Sequence, residues 1–270
     1  MSSDEGTQFL QWALPRLGYR WDGFRKPRGQ VLKRIKSRIQ DLSLTGYSEY
    51  KQFLQNNPDE WQVLDSLCDV TISKFFRDRK LWDFLRQKIL PDLYQARSNG
   101  TLSIWSCGCC NGEEPYSIAI VTDQLSAKVS GEIDYEILAT DWNKDVLKRA
   151  KAGKFPESAL KELGKKEIER YFRQIDGEDN SYQIIDKLSV NIHFEKRDIR
   201  ESLPDDIFDI VFCRNLVFTY LNKKLQEQFL DRLHDKMKKG SILITGSNEK
   251  KPPAKWLKRI VKTHPVFKVV

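Results

Sequence analysis

Apolar residues recur at helical spacing along the first third of the chain. From Gly29, the segment GQVLKRIKSRIQDLSL sets Val31, Leu32, Ile35, Ile39 and Leu42 on one side, with Lys33, Lys36 and Gln40 towards the other. This spacing predicts an amphipathic helix with a basic outer face. Between Thr45 and Pro58, SEYKQFLQNN reads as a turn and a short helix. Further helices are predicted over Glu60–Cys68 and over Arg79–Leu90, the latter stopping before Pro91. Residues 1–95 are therefore expected to form a small helical domain.

Past residue 100 the pattern changes. Leu102–Ser106 is a short apolar run that ends in a glycine-containing loop, and a helix should follow over Glu114–Leu125. Next come a strand over Asp134–Thr140 (DYEILAT) and a helix over Lys144–Ala152. The apolar runs FDIVFC (Phe208–Cys213) and SILIT (Ser241–Thr245) read as strands flanking a helix over Lys224–Met237. Strands alternating with helices predict βαβ units and a mostly parallel sheet over residues 96–270, an α/β fold. Within it, Asp176-Gly177 and the alternating YQIIDKLSVNIHF break the rhythm, which predicts a hairpin-like β insertion at about 174–196.

The chain has 270 residues, 40% of them hydrophobic and 11% aromatic, enough for a sizeable core. No apolar run reaches the ~20 residues that span a bilayer. The first residues, MSSDEGTQFLQ, lack a basic n-region and an apolar h-region. The chain is thus read as cytoplasmic, without membrane insertion. Its five cysteines are an odd number, and Cys109 and Cys110 are adjacent, which disfavours a disulfide framework. Net charge is +8, which suits acidic partners: an acidic protein, RNA or an anionic surface.

The richest chemistry lies in SCGCCNGEE, where three cysteines fall within four positions. Zinc would call for paired CxxC or histidine partners, and His193, His234 and His264 are scattered, so no metal is expected. A strand running through a glycine-containing turn into a helix instead matches the place where α/β sheets bind nucleotides. Small residues such as Gly108 and the cysteines let the backbone approach a ligand. Glu113 and Glu114 would repel a diphosphate but suit a cationic cofactor, and S-adenosylmethionine carries an ammonium and a sulfonium. Asp141, at the end of ILATD, can accept both hydroxyls of a ribose. The alternative is that Asp141 or Asn143 caps the helix beginning NKDVLKRA.

These residues carry a family resemblance. GCCNGEEPYSIAI resembles the cofactor loop of the CheR-type methyltransferases, the chemotaxis-receptor glutamate O-methyltransferases. TISKFFRD, ATDWNKDVLKRAKAGKF, DIVFCRNLVFTYL and ITGSNE resemble further motifs of that family, in the same order. The resemblance implies a Rossmann-like class I methyltransferase sheet, a small helical N-terminal domain and a short β insertion. It also implies S-adenosyl-L-methionine as methyl donor and S-adenosyl-L-homocysteine as product. By position, Thr71, Ser73 and Arg77 would reach the cofactor. Glu113 or Glu114 would hold its amino group, Asp141 its ribose, and Asp198 and Ile199 would flank the adenine. Arg214 and Asn215 would line the methionine end. The sequence departs from the family at Cys110-Asn111, where Ser-Thr is usual, and at Thr71, where Asn is usual. The run FTYLN is shifted by one residue and puts the site tyrosine at Tyr220.

Methyl transfer to a carboxylate needs no general base, because the nucleophile is already ionised at neutral pH. The enzyme then supplies orientation. Arg77 is the candidate to hold the non-attacking oxygen or the cofactor, and Tyr220 to position the acceptor. The structural alternatives are a salt bridge for Arg77, packing for Tyr220 and a strand-end charge for Arg214. Lys33 and Lys36 would face an acidic substrate, or form a solvated helix face. Two rivals remain at this point. One keeps the cofactor but methylates RNA or a small molecule, although CRNLVF lacks the Asn/Asp-Pro-Pro-aromatic motif that positions a base amine. The other is a non-catalytic cofactor-binding module.

Overall fold

The structure, a computed structural model, describes residues 3–96, 100–128, 133–178 and 180–270. Two units divide the chain. Residues up to Val70 together with Leu216–Gln228 form one, and Thr71–Asn215 with Phe229–Val270 form the other. Helices expected in a first domain ending near residue 95 fall on both sides of this division, since Arg79–Phe84 and Leu90–Ala96 belong to the second unit.

In the first unit, helices Ser3–Ala13, Arg28–Asp41, Tyr47–Asn56 and Glu60–Leu67 close on a core that includes Leu10, Ile35, Ile39, Tyr50 and Leu64. The helical spacing from Gly29 does turn Val31, Leu32, Ile35 and Ile39 inward. The basic face is only partly free for solvent. Arg38 forks onto the buried Glu60 carboxylate through Nε (2.9 Å) and Nη2 (2.7 Å), and Tyr50 donates its hydroxyl to the same group at 2.8 Å. Lys33 is exposed and Lys36 half-buried.

The segment 216–228 joins this unit by backbone pairing. Arg20 N–H donates to Tyr220 O, Asn222 N–H donates to Gly18 O, both at 2.8 Å, and Tyr19 bridges Leu221 antiparallel. Gly23 makes this possible, because a Cβ there would lie 2.2 Å from the Thr219 carbonyl oxygen.

The second unit is built on a seven-stranded sheet. Its strands are β1 (Leu102–Cys107), β2 (Tyr135–Asp141), β6 (Ile192–Lys196), β7 (Phe208–Cys213), β8 (Met237–Thr245), β9 (Leu257–Arg259) and β10 (Val266–Val269). They lie in the order β6-β2-β1-β7-β8-β10-β9. The first five are parallel, while β10 runs antiparallel to both β8 and β9. Helix Glu113–Ser126 follows β1 and helix Lys144–Ala152 follows β2. All six residues of β7 are buried, as expected of a strand covered on both faces. The strand order reverses at β1, so a crevice opens between the ends of β1 and β7, where α/β sheets bind ligands. Register aligns Cys107 with Thr140 and Cys213 with Thr245, which brings the carboxyl ends of four strands to one edge.

The β insertion differs from the segment expected at about 174–196. A separate sheet, β3-β5-β4, is made from β3 (Lys154–Pro156), β4 (Phe172–Gln174) and β5 (Ser181–Ile184). The predicted hairpin is its β4–β5 pair. Ile192–Lys196 instead joins the main sheet as β6, parallel to β2. Its alternation reflects an edge strand with one covered face rather than hairpin membership. The helix beyond Arg79 also runs past Pro91. A widened turn at Leu85–Ile89, where Leu90 N–H bonds Leu85 O, precedes the proline and absorbs it.

Candidate functional site

Strand ends, the helix that follows β1 and the TISKFFRD turn set the groups at the carboxyl edge of the second unit's sheet. The loop after β1 passes through positive φ at Gly108 (77°), Cys110 (50°) and Gly112 (98°). This conformation is costly for a side chain, yet Cys110 is held in it. Gly108 and Cys109 both donate their N–H groups to Thr140 O, at 2.8 and 2.9 Å. Cys110 N–H donates to Asp141 Oδ2 at 3.0 Å, and Asn143 N–H to Asp141 Oδ1 at 3.0 Å. Asn143, not Asp141, caps the following helix by accepting from Asp145 and Val146. Asp141 is therefore a buried clamp between the two loops.

Glu113 and Glu114 open helix Glu113–Ser126 in different surroundings. Glu113 is 5% exposed; Ser73 hydrogen-bonds its carboxyl, but its Oε2 is buried with no partner. Glu114 accepts the Ser106 hydroxyl at 2.8 Å and Arg214 Nη1 at 3.2 Å. Burial raises both carboxyls above the ordinary glutamate range, in Glu114 despite the adjacent Arg214. Arg214, at the end of β7, also donates Nη2 to Asp78 Oδ2 and to Arg77 O, both at 2.7 Å. It thus ties the TISKFFRD turn to the sheet edge. Arg77 spends one N–H on Ile72 O at 3.1 Å and adds its charge to the field on Glu114.

Asn215 sits at φ 54° and donates its N–H to Glu249 Oε2 at 3.1 Å, a group that also takes the Gly246 N–H. Asp198 accepts from Arg200 through both oxygens, and Ile199 is buried beside it. Arg200 lies 5.7 Å from the Trp142 ring centroid. The edge thus gathers Ser73, Arg77, Gly108, Glu113, Glu114, Asp141, Asp198, Ile199, Arg214 and Asn215 on one unit, with Thr71 at its first position. Tyr220 lies in the helical unit, its ring edge-on to Phe24 at 5.2 Å, and Lys33 and Lys36 lie there too. Asp78, Ser106 and Glu249 complete the edge. Two of them fall inside the motifs TISKFFRD and ITGSNE, but residue type alone gave no sign of which backbone or guanidinium each would meet.

Two of the three neighbouring cysteines are buried and poorly reactive. Burial lifts the Cys107 and Cys109 thiols well above their ordinary range. Among the described residues, no group of three or more His, Cys, Asp and Glu side chains could hold a metal ion.

A parallel sheet with a switch point at β1, a glycine-turned loop, and a partnerless buried carboxylate oxygen define a Rossmann-like nucleoside-cofactor enzyme. The acidic lining disfavours a diphosphate and fits the cationic S-adenosylmethionine. Residues 71–266 match the family described as CheR methyltransferase, SAM binding domain. The chain is 31% identical over 220 residues to the chemotaxis protein methyltransferase of Listeria monocytogenes, covering 82% of this chain and 80% of that protein. It is 31% identical over 226 residues to the Borreliella burgdorferi protein of the same description, covering 81% and 79%. To that of Escherichia coli it is 26% identical over 227 residues, covering 82% and 76%. The chain belongs to the CheR methyltransferase family and is an S-adenosylmethionine-dependent methyltransferase. No described helix is long and apolar enough to cross a membrane.

Proposed function

We propose that this enzyme transfers a methyl group from S-adenosylmethionine to the side-chain carboxylate of a glutamate in an acidic partner protein, in the cytoplasm. The relatives' description as chemotaxis protein methyltransferases supports a protein acceptor. The observation that carries the acceptor class is the state of the carboxyl edge. Asp78, Glu114, Asp141, Asp198 and Glu249 each already accept a donor. The buried Oε2 of Glu113 is best matched by the cofactor's ammonium. None of the groups gathered above is a histidine: His193 lies in β6, His234 ends the helix before β8, and His264, just before β10, stacks on Phe84 at 5.0 Å. A site without a dedicated base suits a nucleophile that is ionised beforehand.

In this reading Glu113 and Ser73 receive the amino group, with Thr71 nearby in sequence. Asp141 accepts the ribose hydroxyls, and Asp198 and Ile199 border the adenine. Glu114 and Arg214 hold the edge in register, and Asn215 lines the methionine end. Arg77 orients the acceptor carboxylate, whose charge is lost as the ester forms. On the helical unit, Tyr220, Lys33 and Lys36 are the candidates to meet an acidic substrate. The bound cofactor supplies a methyl group already activated by the sulfonium, so the protein contributes orientation.

The test uses tritiated S-adenosylmethionine, the full chain and a host-cell extract, followed by alkali. Esters release volatile methanol, whereas methylated amines and nucleobases do not. Volatile counts from a protein fraction are expected. Non-volatile counts would move the acceptor to RNA or a small molecule.

A further inference from the structure

Residues 236–270 hold ten Lys and Arg against one acid, Glu249. The preceding 235 residues hold 36 basic and 37 acidic residues, so the entire net charge of +8 resides in this final stretch. The sheet register gathers much of it at one corner. Lys268 of β10 stands opposite Lys258 of β9. A Cβ at Gly240 of β8 would lie 3.9 Å from Lys268 Cε, and Lys238 and Lys239 precede Gly240 on that strand. Val270 N–H bonds Trp256 O, which brings Lys255 to the same corner, and Trp256 packs on His234 at 4.9 Å. Lys236 pairs with the fully exposed Asp205 at 3.6 Å. Like charges directly opposite on neighbouring strands repel. No ion pair joins Lys238, Lys239, Lys255, Lys258 or Lys268 to a carboxylate among the described residues, which leaves this corner strongly cationic.

We propose that this corner docks on an anionic phospholipid bilayer surface. Nine of the ten cations are lysines, and the single arginine, Arg259, is occupied by His264 O and the Phe267 ring. Lysines are point charges without the planar fork that reads phosphates and bases in fixed geometry, so they suit a fluid plane of headgroups better than a nucleic acid. Half-buried Trp256 at the corner and exposed Ile260 on the same hairpin add the apolar and aromatic contacts of an interfacial surface. Lys238, Lys239, Lys258 and Lys268 lie towards the amino-terminal edge of the sheet. The cofactor loop opens at the opposite edge, so docking would leave it accessible.

The full chain is sedimented with phosphatidylcholine vesicles with and without phosphatidylglycerol, at low and high salt. Binding is expected with the anionic vesicles alone, and lost at high salt. Replacing Lys238, Lys239, Lys258 and Lys268 by Gln should weaken it by roughly a hundredfold or more. S-adenosylhomocysteine affinity should not change. A Lys165→Gln/Lys166→Gln control on the insertion should bind vesicles as the parent does. Should the fourfold variant misfold, Lys258→Gln/Lys268→Gln, which relieves a repulsion, serves in its place. Equal binding to neutral vesicles, no binding at all, or unchanged binding of the variants would overturn the proposal. Equal loss in the control, or tighter binding to RNA through the same lysines, would also do so.

Discussion

At the scale of single residues the site turns on one unpaired oxygen. Glu113 Oε2 is buried without a partner, and desolvation holds its carboxyl above the ordinary value. An ammonium restores the missing contact and favours the ionised form. Cofactor affinity should therefore fall as pH drops, with a midpoint above that of an ordinary glutamate, and binding should release a proton. Calorimetry in buffers of different ionisation enthalpy measures both. Glu113→Gln should flatten the profile and weaken binding by about 10- to 100-fold, the worth of a charged hydrogen bond. The sign for stability is opposite. A carboxyl with a raised folded pKa keeps its proton longer in the folded state. Without cofactor, Glu113 and Glu114 thus cost stability as pH rises from the unfolded value to the folded one. Glu60 works the other way. Hydrogen bonding to Arg38 lowers its pKa, and its contribution is lost on acidification. Asp141→Ala should weaken cofactor binding, because it removes the proposed ribose acceptor and also frees the Cys110 and Asn143 N–H groups. Cys110→Ser should retain binding, since the backbone N–H that meets Asp141 survives the substitution. Retained affinity in Asp141→Ala would contradict its role.

At the scale of elements, the close approach of residues 20–24 to residues 216–222 is set by an absent side chain. Gly23→Ala puts a Cβ 2.2 Å from a backbone oxygen that cannot move without breaking the Tyr19–Leu221 bridge. It should destabilise the chain by about 2 kcal/mol or more. Gly29→Ala meets nothing within 4 Å at the start of helix Arg28–Asp41 and should be neutral or stabilise by up to about 1 kcal/mol. Thermal denaturation of the pair separates crowding from propensity. The Gly23 outcome was not legible in the sequence, because contacts nearly 200 residues apart leave no periodic trace. The parallel strands were legible, since FDIVFC and SILIT are apolar runs too short for helices. So was the loop, where Gly108, Gly112 and the paired glutamates fall between a strand and a helix. The insertion was misplaced because Lys154–Pro156 is a three-residue strand without a pattern, while IHFEK alternates as any half-covered edge strand does. At the site, motif order gave no view of Asp141 clamping two loops or of Glu249 holding Asn215.

At the scale of the whole molecule, the family match and the physical unit share a starting point but not a content. The match covers residues 71–266, and the second unit also begins at Thr71. Leu216–Gln228 nevertheless belongs to the helical unit, though it lies inside the match. There Val217, Phe218 and Leu221 are buried, Tyr220 packs on Phe24, and two backbone hydrogen bonds tie the segment to Gly18 and Arg20. A fragment of residues 71–270 would keep every carboxyl-edge group but strip this segment of its partners. Its apolar side chains would then be exposed, and its freed backbone groups would lose their pairing. The fragment should therefore associate or bind a hydrophobic dye. Sedimentation should find it self-associated at concentrations where the full chain is not. Adding residues 1–70 in trans should restore the monomeric second unit, because they carry Gly18, Arg20, Gly23 and Phe24. A monomeric, dye-silent fragment that binds S-adenosylhomocysteine as tightly as the full chain would show that residues 216–228 do not depend on the helical unit for their structure.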